Sequence, residues 1–125
     1  YVITDNEAGM EHISRKLTKH VDTLILVSDC AKRSIQAVAR IRDLAEEMNL
    51  SVGKIGLIVN KAPNGELSNG VKEEIEKYGL DLFGVVPSDE LIYEYDSEGI
   101  PLVKLPDDSK SRVALEKIIE TLDLP

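Results

Sequence analysis

Four short stretches of the chain are continuously apolar and rich in Val, Ile and Leu: YVIT (1–4), DTLILVS (22–28), KIGLIVN (54–60) and LDLFGVV (80–86). They do not alternate with polar residues, which is the pattern of strands covered on both faces and hence of a parallel sheet. Between them, apolar positions recur at three and four residues. Ala31, Ile35, Val38, Ile41, Ala45 and Met48 fall on one side of a predicted helix, with Lys32, Arg33, Arg40, Asp43, Glu46 and Glu47 on the other. A second helix is expected from about Ser68 to Tyr78, with Val71, Ile75 and Tyr78 inward. A last one, from about Ser109 to Leu122, buries Leu115, Ile118, Ile119 and Leu122, with Asp107 or Asp108 as its cap. His20 is read as the end of an earlier helix, where a cation is favoured. Strands alternating with helices predict right-handed βαβ units, an α/β class with a mostly parallel sheet and helices on both faces. The stretch GIPLVKLPDDS (99–109), with its two prolines, reads as a connector within one domain.

Composition narrows the function. A chain of 125 residues is long enough for one domain with a core of its own, and 42% hydrophobic residues fit a globular protein. A net charge of −8 and a pI near 4.7 argue against a nucleic-acid or anionic-membrane binder, which needs a basic face. No apolar run approaches the roughly 20 residues that span a bilayer, and no signal peptide is expected ahead of the first strand. The lone Cys30 can form no internal disulfide, which points to a reducing cytoplasm. The first residue is Tyr, so the chain is expected to be processed or part of a longer protein.

In a parallel α/β sheet, ligands bind outside the carboxyl ends of the strands. The residues just past the predicted strands are Asp5, then Ser28 and Asp29, then Asn60 and Lys61, then Pro87, Ser88 and Asp89. Asp, Ser and Asn after a strand are also ordinary helix caps, so each position alone supports either reading. Asn60-Lys61 stands apart, because the Ala-Pro that follows is a poor way to begin a helix. As a set, the rim points to a nucleotide or a similar anion. A phosphate cradle is missing: the only Gly-Lys pair, Gly53-Lys54, is followed by Ile55 and opens a strand, and position 48 is Met where a P-loop has its first glycine.

Three stretches carry a family resemblance: ITDNEAGMEHISR (3–15), IVNKAP and VVPSDELIYEYDSEGIPL. Together they resemble the C-terminal half of a CooC-type ATPase, a P-loop protein of the MinD/Mrp/nitrogenase-iron-protein class that assists nickel insertion into carbon monoxide dehydrogenase. The resemblance runs from Tyr1 to about Leu122, and DNEAGMEHISR is its most specific piece. It implies that residues 1–125 form a single α/β domain, the C-terminal portion of a larger P-loop ATPase domain lacking the P-loop strand. It implies that Asp5 holds a magnesium-bound water and that the backbone N–H of Gly9 senses the terminal phosphate, which a glycine without Cβ allows at close range. Asn60 would read the base, its amide offering both donor and acceptor to adenine. Lys61 completes that pair, and Pro87 and Asp89 would flank the base or ribose. Pro63 stands where guanine-specific relatives carry an Asp, which favours adenine.

The cofactors so implied are ATP or ADP with magnesium, available only with the missing half, and nickel or zinc at a Cys-x-Cys site that lies upstream in the family. The implied partners are a second copy in a homodimer and carbon monoxide dehydrogenase or a similar nickel enzyme, with no nucleic acid and no membrane. The intact protein would be a cytoplasmic ATPase, and this chain, without P-loop or its lysines, would be inactive alone. Other readings remain. One is a MinD/ParA-like partitioning ATPase, against which the acidic tail ALEKIIETLDLP counts; another is a non-enzymatic small α/β binding module. Glu7, Glu11 and His12 could suggest a metal site, but Glu11 and His12 read better as part of the switch surface, facing a partner subunit. Cys30 reads as a small buried residue, and Tyr93 and Tyr95 as partial core or partner contact.

Overall fold

The computed structural model describes residues 20–47 and 51–122. The expected first strand, 1–4, lies outside these residues, as do Asp5, Glu7, Gly9, Glu11, His12 and Met48. The other three strands form as a parallel sheet in the order β1-β2-β3: β1 is His20–Ser28, β2 Ser51–Ala62 and β3 Leu82–Pro87. His20 thus opens a strand and does not close a helix. β1 runs in unbroken register with β2 from His20↔Ser51 to Ser28↔Val59 apart from the pair at Asp22, while β2 and β3 pair with two register shifts.

Four α-helices are present among the described residues: α1 (Lys32–Glu47), α2 (Asn69–Lys77), α3 (Glu90–Glu98) and α4 (Lys110–Leu122). α1 and α2 lie over one face of the sheet. Their Ile35, Val38, Ala39, Val71 and Ile75 bury against Leu26, Leu57, Val59 and Leu80. α2 starts where the Ser68 hydroxyl accepts from the Val71 amide at 3.3 Å. α4 covers the other face, packing Ile118 and Leu122 on Ile58 and Val86. Its close seating depends on Gly84, where a Cβ would stand 2.3 Å from Cγ1 of Ile118. The Lys54 ammonium donates to the Leu122 carbonyl at 3.2 Å, closing the C-terminal end of α4 with a cation.

Three expectations need correction. Strands covered on both faces describe β2, but β1 leaves Ile25 39% and Val27 59% exposed, on the face opposite the buried Leu26. In α4, Ile118 and Leu122 are buried while Leu115 and Ile119 are 42% and 47% exposed, because the helix meets only a narrow strip of sheet. Neither Asp107 nor Asp108 accepts a first-turn amide of α4. Asp107 pairs with Arg112 at 3.2 Å, and the Ser111 amide is taken by Asp89. α3 was not foreseen. It contributes no buried residue, so its periodicity is weak, although its ends were legible: Asp89 accepts from the Leu91 amide at 3.0 Å, and Gly99 terminates it at φ +70.

Candidate functional site at the carboxyl rim of the sheet

All three strands run parallel, so their carboxyl ends open on one side. This brings Ser28–Cys30, Asn60–Ala62 and Pro87–Asp89 onto one rim. The β2 end is its most irregular part. The ladder with β3 shifts between Val59 and Ala62, and Lys61 takes φ +57, a left-handed conformation uncommon for a residue with a Cβ. The Lys61 amide turns onto the Asn60 side-chain oxygen at 2.9 Å. That bond orients the half-buried Asn60 amide and leaves its NH2 group to donate, while the oxygen keeps a second lone pair. Lys61 itself is exposed, its carbonyl 3.5 Å from the Cys30 sulfur, and Cys30 is half-buried. The rim is tied across to β3 by the Ser88 amide, which donates to the Ala62 carbonyl at 2.8 Å.

The two carboxylates of the rim accept hydrogen bonds from the chain itself. Asp29 accepts the Ala31 amide at 3.0 Å just before α1. Its pKa is held below the usual carboxylate value by the Ser34 hydroxyl first, then by that amide and by the charge of Lys61. The Asp89 carboxyl is likewise lowered, with the Ser109 hydroxyl the largest cause and the amides of Ser111 and Leu91 contributing. Ser109 and Ser111 are buried, 2% and 6% exposed, and neither is among the candidate site residues of the sequence. The one signal for them is a serine on either side of Lys110 at the start of a helix. Two cavities, of about 180 and 160 Å³, lie away from the rim. The larger is lined by Arg42, Glu46, Gly79 and Asp81 among others, at the side where β3 begins. No cluster of three or more His, Cys, Asp or Glu able to hold a metal occurs among the described residues.

No family model matches the chain. An uncharacterized ATP-binding protein of Methanocaldococcus jannaschii is 35% identical over 122 residues, covering 98% of this chain and 48% of the relative. The carbon monoxide dehydrogenase accessory protein CooC of Rhodospirillum rubrum is 31% identical over 99 residues, covering 79% of this chain and 36% of CooC. By these likenesses the chain corresponds to the C-terminal half of a CooC/MinD-type P-loop ATPase. Its fold agrees with a solved structure of that type. The septum site-determining protein MinD of Pyrococcus horikoshii, complexed with Mg-ADP, superimposes with a TM-score of 0.63 at 25% identity, over 82% of this chain and 41% of MinD. The chain spans about half the length of the curated relatives it matches. Of the residues singled out in sequence, Asn60, Lys61, Pro87 and Asp89 come together on its rim. Asp5 and Gly9 fall outside the described residues.

Proposed function

We propose that this chain supplies the adenine-reading and switch half of an ATP-hydrolysing maturation factor. The observation that carries this reading is the Asn60–Lys61 bulge, an irregular strand end with a positive φ and an oriented, half-buried amide on the ligand-binding rim of a parallel sheet. Left-handed backbone at a non-glycine residue has an energetic cost and collects at binding sites. In this reading Asn60 pairs with the adenine edge, Lys61 and Pro87 border the base, Asp5 holds a magnesium-bound water and Gly9 offers its amide to the terminal phosphate. Residues 1–125 make one α/β domain that is completed by a P-loop half, and the complete protein is a cytoplasmic homodimer. Similarity to CooC supports a role in nickel insertion into carbon monoxide dehydrogenase, with nickel or zinc carried outside this chain.

Titration of the intact gene product with ATP and GTP in the presence of magnesium tests the base assignment. Asn60→Ala should weaken ATP binding by about 1–3 kcal/mol through the lost amide contacts. Equal affinity for the two nucleotides, unchanged in the variant, would sink it. The client is tested by whether the intact protein raises the activity of nickel-depleted carbon monoxide dehydrogenase. The likeness to MinD favours a second reading, a positioning ATPase. ATP-dependent binding to anionic vesicles without any effect on the nickel enzyme would select that reading.

A further inference from the structure

The Asp89 carboxylate accepts four hydrogen bonds from its own chain, three of them on Oδ2. An ionised carboxylate offers about four lone-pair sites. Oδ1 accepts from the Leu91 amide at 3.0 Å, and Oδ2 from the Ser111 hydroxyl at 3.0 Å, the Ser111 amide at 3.3 Å and the Ser109 hydroxyl at 2.5 Å. The two serine oxygens also lie 3.2 Å apart. Because both serines are buried and each hydroxyl has a single proton to donate, both depend on this carboxylate as acceptor. One side chain therefore caps α3 locally and the first turn of α4 from 22 residues away. It sits two residues after Pro87 and one after Ser88, whose amide hangs on Ala62 next to Lys61.

We propose that Asp89 is the positioning residue of the rim: its carboxylate clasps the first turns of α3 and α4 and so holds the Pro87–Ser88 turn against the Asn60–Lys61 bulge, in place of binding a ribose hydroxyl. The inference rests on the reading of Asn60 as the base contact. It revises the expectation from sequence that Asp89 flanks the base or ribose. The lowered carboxyl pKa agrees with it, since all four donors favour the ionised form. Pro87 remains at the rim as a surface for the base, and its position depends on the clasp.

The test compares Asp89→Ala, Asp89→Asn and the double variant Ser109→Ala/Ser111→Ala in the intact gene product. Amide hydrogen exchange should accelerate about tenfold or more at Ser88 in each, as expected when a supporting partner is removed. Protection at Leu26 and Leu57 should persist and show that the sheet is folded; if Asp89→Ala loses it, the milder Ser111→Ala carries the measurement. Affinity for ADP and for 3′-deoxy-ADP should fall by the same factor, about tenfold, and combining Asp89→Ala with the serine changes should add nothing further. Asp89→Asn should behave like Asp89→Ala, because its NH2 group confronts donors. A ribose ligand would instead lose ADP while leaving 3′-deoxy-ADP untouched, and that result overturns the proposal. Nucleotide binding with unchanged exchange at Ser88 overturns the clasp alone. Lost protection at Ser88 in a protein that binds no nucleotide leaves the clasp and overturns the proposed function.

Discussion

The two faces of the sheet are built to different degrees. The face under α1 and α2 is closed: Leu26, Leu57 and Val59 meet Ile35, Val38, Ala39, Val71 and Ile75, and Ile35, Leu57 and Val59 are fully buried. The face under α4 is narrow. Ile58, Val86, Ile118 and Leu122 form its core, while Ile25, Val27, Leu115 and Ile119 keep much of their surface in water among the described residues. The strands present Leu24, Leu26, Ile55, Leu57 and Val59 to the first face, but Lys54, Gly56 and Gly84 beside Ile58 and Val86 to the second, so strand composition and helix coverage both make the difference. Stability should therefore be concentrated on the first face. The rim, where both faces end, inherits its rigidity from hydrogen bonds.

The strongest test of that contrast is Leu57→Ala. It opens a cavity in the closed face and should cost about 2–5 kcal/mol. Chemical denaturation of the 125-residue chain measures it, and a loss under 1 kcal/mol would mean the first face is loosely packed. Next is Gly84→Ala on the α4 face, which places a methyl group against Ile118 and should cost about 1–3 kcal/mol by overpacking. Ile118→Val in the same chain should recover part of that loss, because it removes a methyl group from the crowded side chain. An additive double variant would break the claim that Gly84 seats α4.

A smaller effect is expected from acid. Asp29 and Asp89 have folded pKa values below the unfolded carboxylate value of about 3.9, so the ionised forms favour the folded chain. Their contribution is complete above that value and is lost as pH falls through the lower folded values. Melting temperature should then drop as the pH falls below about 4, and less steeply in Asp89→Asn. A flat profile in the parent chain would remove the carboxylates from the account of the rim. The smallest change should come from Val27→Thr on the open face. In the 125-residue chain it should shift stability by less than about 0.5 kcal/mol, as surface substitutions do. A larger loss there would show that Val27 is covered in solution.

Much of this was legible in sequence. Continuous Val, Ile and Leu runs separated by helical periodicity specify parallel strands with helices across them, because burial on both faces removes the reason to alternate. Strand ends locate a rim in such a sheet, and Asn60, Lys61, Pro87 and Asp89 were placed on it from order alone. Those are local properties, carried by residues within a turn or a strand of one another. What only the tertiary structure decided depends on groups far apart in the chain. Coverage of Val27 and Ile119 depends on where α4 crosses the sheet, and Lys61 adopts its positive φ within a register that β3 sets. The Asp89 carboxylate finds serine partners 20 and 22 residues away, where hydroxyls buried by packing have to be satisfied. A sequence pattern shows which side chains seek burial or a partner, but which partner each one meets follows from the packing of the whole chain.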